Sequence, residues 1–163
     1  MSATVTGVHH VKIWVTDLAR SRQFYERTLG LEHRTSFADA DGVVRGMSFL
    51  LPGTSVQVAI REDAGLAAAL AGADPFALAT TRAGLDEWVA HLDALGVPHS
   101  PIITASSGYA MGFLDPDGIQ IRLYAEDDEV RREQVGTEGV IRTGNIPRIA
   151  TPEDLRRFNQ SHG

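Results

Sequence analysis

Gly7-Val8-His9-His10-Val11-Lys12-Ile13-Trp14-Val15 and, after Thr16, Asp17-Leu18-Ala19-Arg20-Ser21-Arg22-Gln23-Phe24-Tyr25-Glu26-Arg27-Thr28-Leu29-Gly30 form the stretch that decides the fold. Val11, Ile13 and Val15 alternate with His10, Lys12 and Trp14. That is the period of a strand with one face in a core and the other turned toward something more polar. Asp17 is placed to cap a helix. Leu18, Ser21, Phe24/Tyr25 and Thr28/Leu29 then make one stripe at helical spacing, and Gly30 suits the helix C-terminus. Three strand-like runs follow near 32–37, 43–51 and 54–61, so this part reads β-α-β-β-β.

The rest of the chain repeats the pattern. Pro75-Phe76-Ala77-Leu78-Ala79-Thr80 reads as a strand, and residues 85–96 as an amphipathic helix closing on Leu95-Gly96. Strand-like runs lie near 98–104, 108–114 and 119–125, the last two joined by the turn Asp115-Pro116-Asp117-Gly118. An offset of 65 residues puts Val11 on Phe76, Ile13 on Leu78, Gly53 on Gly118, Val56 on Ile121 and Val58 on Leu123; the helix ends, Gly30 and Gly96, need 66. An internal duplication is the economical reading. The expected organisation is a first βαβββ module over 1–61, a linker with a helical turn over 62–74, a second module over 75–125 and a C-terminal extension over 126–163. In the extension, Thr151-Pro152-Glu153-Asp154 predicts a short terminal helix running to Phe158. Phe24, Tyr25 and Trp88 fall on helix faces and are expected in the core.

Composition bounds the function. The 163 residues are 43% apolar and 22% charged, which suits a soluble domain with a real core. The formal net charge of −6 argues against a basic face for nucleic acid. With no cysteine, disulfides, thiolate zinc sites and cysteine nucleophiles are excluded. No apolar run reaches the roughly 18 residues of a membrane span. Met1-Ser2-Ala3-Thr4 has neither a basic nor an apolar leader character, so a cytoplasmic location is expected. Gly136-Thr137-Glu138-Gly139 lacks the Lys-Ser/Thr ending of a phosphate loop, and no Gly-x-Ser-x-Gly, HExxH or EF-hand pattern occurs.

His10-Val11 on the first strand, Asp17 followed by Ser21-x-x-Phe24-Tyr25 and Leu29-Gly30, and Phe113-x-Asp115-Pro116-Asp117-Gly118 resemble the vicinal oxygen chelate superfamily. Glyoxalase I, extradiol dioxygenases, fosfomycin-resistance enzymes and bleomycin-resistance proteins are members. The resemblance covers about residues 7–125. It implies an α+β fold of two tandem βαβββ modules whose curved mixed sheets form a cup around a ligand. It also implies a homodimer, in some relatives with modules exchanged between chains.

In metal-dependent members four ligands enter the cup, two from the first and last strands of each module. Carried onto this chain, those positions are His10, Gln57, Pro75 and Arg122. Proline has no side-chain donor, and arginine is a permanent cation that does not ligate. His10 and Gln57 alone are too few for a tight site. His9 is expected on the face opposite His10.

The same alternation aims His10, Lys12 and Trp14 inward from the first strand and Gln120, Arg122 and Tyr124 from the last; Ser106-Ser107-Gly108-Tyr109, ahead of a strand, reads as a polar hairpin loop or as a lining of the cup mouth. The resulting expectation is a pocket, needing no cofactor, for an aromatic, anionic or oxygen-rich small molecule, as in bleomycin-resistance proteins. Lys12, Trp14, Gln57, Gln120, Tyr124 and Tyr109 would bind the ligand. The alternative is a lyase, isomerase or cyclase with His10 as acid/base and Arg122 holding an enolate. Its metal-dependent form would draw missing ligands from substrate, water, a partner chain or the tail (Glu138, His162). Plainer roles stay open: Arg122 paired with Glu126 or Asp17, Lys12 reaching to the rim, Trp14 as packing.

Overall fold

The computed structural model describes residues 3–134. Within them the chain forms two compact units, the first running to Ala71 and the second beginning at Gly72.

The first unit contains β1 (His10–Val15), α1 (Leu18–Leu29), β2 (Glu32–Ala38), β3 (Val44–Leu50), β4 (Gln57–Glu62) and α2 (Ala64–Leu70). Its sheet has the order β1-β4-β3-β2, with β1 parallel to β4 and the remaining pairs antiparallel. The second unit contains β5 (Ala77–Ala79), α3 (Arg82–Leu95), β6 (Ile103–Ala105), β7 (Gly108–Leu114), β8 (Gln120–Glu126) and α4 (Asp128–Gln134). Its sheet, β5-β8-β7-β6, repeats both the order and the one parallel pair. The fold is thus α+β, two tandem βαβββ modules with mixed sheets.

Local chemistry explains the elements that match their sequence signals. The Asp17 carboxylate accepts from the Arg20 N–H at 2.9 Å, and Gly30 ends α1 with φ 65°, a left-handed conformation open to glycine. Asp17→Ala is expected to lower stability by about 1 kcal/mol, the usual value of an N-cap, read as a fall in the thermal midpoint.

Five elements differ from expectation. β6 holds Ile103–Ala105, with an isolated bridge from His99 to Phe113 ahead of it, where a strand near 98–104 was expected; Pro98 and Pro101 have no N–H to give to a ladder. The segment read as a linker contains α2, two turns of alanine-rich helix started by Asp63, whose carboxylate accepts from the Leu66 N–H. α3 begins at Arg82 because the Thr81 hydroxyl accepts from the Gly84 N–H. β5 is confined to Ala77–Ala79, since Pro75 has no N–H to give to a ladder. Asp127 accepts from the N–H groups of Glu129 and Val130, starting α4 where a polar extension was expected. The terminal helix over 151–158, Glu138 and His162 lie outside the described residues.

Each sheet buries one face. Ile13, Val15, Tyr25, Phe49, Val58 and Ile60 are at most 2% exposed in the first unit; Leu85, Leu92, Met111, Phe113, Ile121 and Leu123 are equally buried in the second. Such side chains contribute about 1.5–3 kcal/mol each. Phe24 and Trp88 are only half-buried. Because strand residues alternate, the residues between these core positions stand on the other face of each sheet.

Candidate functional site

In the first unit the ladder sets His10 beside Gln57, Lys12 beside Ala59 and Trp14 beside Arg61. All six share the face turned away from the core. A cavity of about 280 Å³ opens there, with His9, His10, Lys12, Gln57 and Arg61 as its polar wall and Phe37 and Met47 among its apolar lining. His10, Lys12 and Gln57 therefore stand together as the alternation predicted. Trp14 shares their face without lining the cavity.

Two features of this wall were missed in the sequence. Arg61 lies in phase with Gln57 and Ala59, so the same period of two would have found it. Gly46, opposite Arg61, leaves room for its chain: a Cβ there would sit 3.5 Å from Arg61 Cδ. His9 is the second. It precedes the first residue of β1, so strand alternation does not govern it, and it joins the cavity wall rather than the opposite face. Its Nδ1 lies 3.0 Å from His10 Nδ1, one ring donating and the other accepting, with the rings edge to face.

The wall is basic. Among the described residues, neither Lys12 nor Arg61 has a carboxylate in ion-pair contact, and no carboxylate lines the cavity. Lys12 is also the only lysine in a chain whose other basic side chains, histidine aside, are arginines.

The second unit has a different electrostatic character. Gln120, Arg122 and Tyr124 share the outer face of β8, with Leu114, Gly112 and Ala110 opposite them on β7. Gln120 is 6% exposed. Arg122 is ion-paired with Asp74, not with Glu126 or Asp17. The partner of Arg122 across the parallel ladder is Ala77, not Pro75. The Gln120 N–H already bonds to Ala73 O at 2.9 Å, so Asp74-Pro75-Phe76 runs one residue out of step with β8 and brings Asp74 to the guanidinium.

The Tyr124 oxygen accepts from the Ser107 N–H at 3.0 Å, with the Ser107 hydroxyl also 3.0 Å away. Burial works against ionising this phenol, but the hydrogen bonds from the Ser107 and Ser106 side chains and the Ser107 N–H outweigh it, holding Tyr124 below the ordinary tyrosine range. Tyr109 does not belong to this set. It pairs with Ala125, on the core-side face, and carries the Arg82 guanidinium 5.2 Å from its ring centroid.

The donor chemistry does not fit a divalent metal. Of the four positions carried over, proline has no donor and Ala77, the true neighbour of Arg122, has none either. Arg122 is a cation already matched by Asp74. Among the described residues, no three His, Asp or Glu side chains converge.

Residues 7–123 match the family model of the Glyoxalase/Bleomycin resistance protein/Dioxygenase superfamily. Among solved structures, TnmS3, an antibiotic binding protein from Streptomyces sp. CB03234, is 20% identical over 77% of this chain and 100% of its own, with a TM-score of 0.64. A mutant of FosX, the fosfomycin resistance protein of Listeria monocytogenes, complexed with Mn(II) and 1S,2S-dihydroxypropylphosphonic acid, is 22% identical over 79% of this chain and 99% of its own, TM-score 0.60. A glyoxylase/bleomycin resistance protein/dioxygenase domain from Frankia sp. EAN1pec is 22% identical over 76% and 100%, TM-score 0.63. These likenesses show a shared fold. No curated protein matches the chain by sequence.

Proposed function

The chain belongs to the Glyoxalase/Bleomycin resistance protein/Dioxygenase superfamily, and within it we propose a binding protein that takes up a small, anionic, oxygen-rich organic molecule without a metal ion. The observation that carries this reading is the first unit's cavity, whose wall combines Lys12, Arg61, His10 and Gln57 with no carboxylate. Lys12 and Arg61, with no carboxylate partner among the described residues, offer charge-assisted hydrogen bonds to a carboxylate or phenolate, and an apolar flank at Phe37 and Met47 suits a flat carbon skeleton. In a chain of net charge −6 such a wall is a local exception, which favours a negatively charged guest. TnmS3 is named for antibiotic binding, and FosX for fosfomycin resistance in a complex with Mn(II). A donor set unsuited to a divalent ion supports the first kind of role for this chain.

The His9–His10 hydrogen bond favours a second reading, in which an oriented His10 imidazole moves a proton in a metal-free lyase or isomerase reaction. Conversion of the bound molecule, lost in His10→Ala, would select it over simple binding.

The test is calorimetric titration with naphthoate and its uncharged analogue naphthamide. Naphthoate is expected to bind at least about tenfold more tightly, a difference of roughly 1.4 kcal/mol. Equal affinities, or no binding of either, would overturn the reading. Protein grown with Zn, Fe, Mn and Ni and purified without chelator should carry far less than one equivalent of metal. A full equivalent that disappears in His10→Ala would also defeat it.

A further inference from the structure

We propose that Lys12 is a nucleophile, and that the first unit's cavity captures an aromatic 2-oxo acid by forming an imine between its ketone carbon and the Lys12 amine. This inference rests on the anionic-guest reading above and gives that guest a reactive group. Of the 15 lysine and arginine side chains in the chain, Lys12 is the one lysine, and it stands in the cavity wall. A clamp that needs only charge is better served by arginine, whose guanidinium grips a carboxylate with two parallel hydrogen bonds. What lysine adds is an amine that can give up a proton and form a covalent bond. Among the described residues, moreover, no carboxylate lines the cavity, and no hydrogen bond or ion pair engages that amine.

Placement decides the guest. Lys12 stands opposite the small Ala59, and Arg61 lies two residues further along β4 on the same face. Amine and guanidinium are thus diagonal neighbours, suited to the adjacent ketone and carboxylate of one 2-oxo acid, with Phe37 and Met47 as the apolar flank for its ring. His10 precedes Lys12 on that face of β1, and its ring is held by His9 at 3.0 Å. The Lys12 ammonium gives one proton to the His10 imidazole. The freed lone pair forms the C–N bond while the ketone π pair moves to oxygen, which takes the proton back. The nitrogen then passes a second proton to that hydroxyl by way of His10, the C–O bond breaks, and water leaves a protonated imine. One ammonium and one ketone give one iminium and one water, with no other reactant.

The experiment incubates the full-length protein with benzoylformate and cyanoborohydride, which reduces an iminium to a stable amine, and locates the added mass by peptide mapping. Lys12 should be modified at least about tenfold faster than the α-amino group, the chain's other primary amine, because the cavity holds the ketone beside it. Arg61→Gln should slow the modification by about tenfold with benzoylformate and leave it nearly unchanged with uncharged benzaldehyde. His10→Gln should slow it with both probes, by about tenfold or more. Lys12→Arg, which keeps the charge, should take up no mass beyond that on the α-amino group. Naphthoate should protect Lys12 in the wild type, a readout that needs no variant.

No adduct on Lys12, or one that forms no faster than on the α-amino group, overturns the proposal; if naphthoate still binds by calorimetry, the anionic-guest reading stands without it. An adduct that Arg61→Gln does not diminish, or that naphthoate does not slow, overturns the pairing of amine and guanidinium on one guest. Naphthoate that fails to bind while Lys12 is still captured at an Arg61-dependent rate would defeat the non-covalent reading and support the covalent one.

Discussion

Gly108→Ala is expected to lower stability by about 3 kcal/mol or more, the upper end of what overpacking does. Gly108 opens β7 with φ 154°, and it pairs with Glu126 at the end of β8. A Cβ at this position would lie 2.0 Å from Ala125 O, 2.9 Å from Asp127 N and 2.9 Å from Glu126 Cα. All three are main-chain atoms, so no side chain can swing aside to relieve the contact. The sheet edge itself must open. Opening it removes the Asp127 N–H bond to Ser107 O and shifts Ser107 away from the Tyr124 oxygen.

Chemical denaturation measures this directly, with Gly53→Ala as the comparison. Gly53 has φ 74° and open space around it, so its alanine variant bears only the conformational strain of about 1–2 kcal/mol. If the two variants unfold at the same denaturant concentration, the steric argument at Gly108 is wrong.

The largest expected effect on binding belongs to Lys12 and Arg61. Each offers a charge-assisted hydrogen bond, worth about 1.5–3 kcal/mol, so Lys12→Ala and Arg61→Ala should each weaken naphthoate by roughly 10- to 100-fold. The two share one guest, so the double variant should lose less than the sum. Raising salt should weaken binding in the wild type more than in either variant. Because Lys12 is the only lysine, acetic anhydride offers a test that needs no mutation. Naphthoate should shield this amine from acetylation, and acetylated protein should bind like Lys12→Ala. Arg45, held between Asp39 and Glu62 away from the cavity, is the control, and Arg45→Ala should bind as wild type. Undiminished affinity in both cavity variants would remove the basis for an anionic guest.

What was legible in the sequence follows the range of the physical signal. α1 is readable to the residue because its cap, stripe and terminal glycine are local. The duplicated succession of strands and helix along the chain is readable because the period of two and the turn signals occur twice. α2 was legible only as a helical turn, and α4 escaped, because alanine-rich and acidic segments resemble linkers until the capping aspartates are noticed. At the site, His10, Lys12 and Gln57 follow from alternation. Arg61 obeyed the same rule and was overlooked. His9 shows where the rule stops applying, and Tyr109, placed at the cup mouth from its loop, obeys the rule by keeping step with Met111 and Phe113. His9 sits outside the strand, and Tyr109 is half a period from Tyr124's face once β7 and β8 are in register. Asp74 had no local signal at all: its meeting with Arg122 depends on the extra residue around Pro75 and on a pairing across most of the second unit.

The parallel pairing of first with last strand has a consequence for how the protein comes into being. Among the described residues β1 is an edge strand, paired with β4. On the ribosome, the strand bearing His10 and Lys12 therefore emerges before its partner and waits until Gln57–Glu62 has followed. Closing so long a loop is the slow, entropically unfavourable event of the unit, whereas the β2–β3 and β3–β4 hairpins form from near neighbours. The basic wall, which needs residues from both β1 and β4, is thus completed by the last long-range step. A nascent chain halted before Gln57 would have no such wall and would present an open strand edge to other chains, the kind of exposure that invites aggregation.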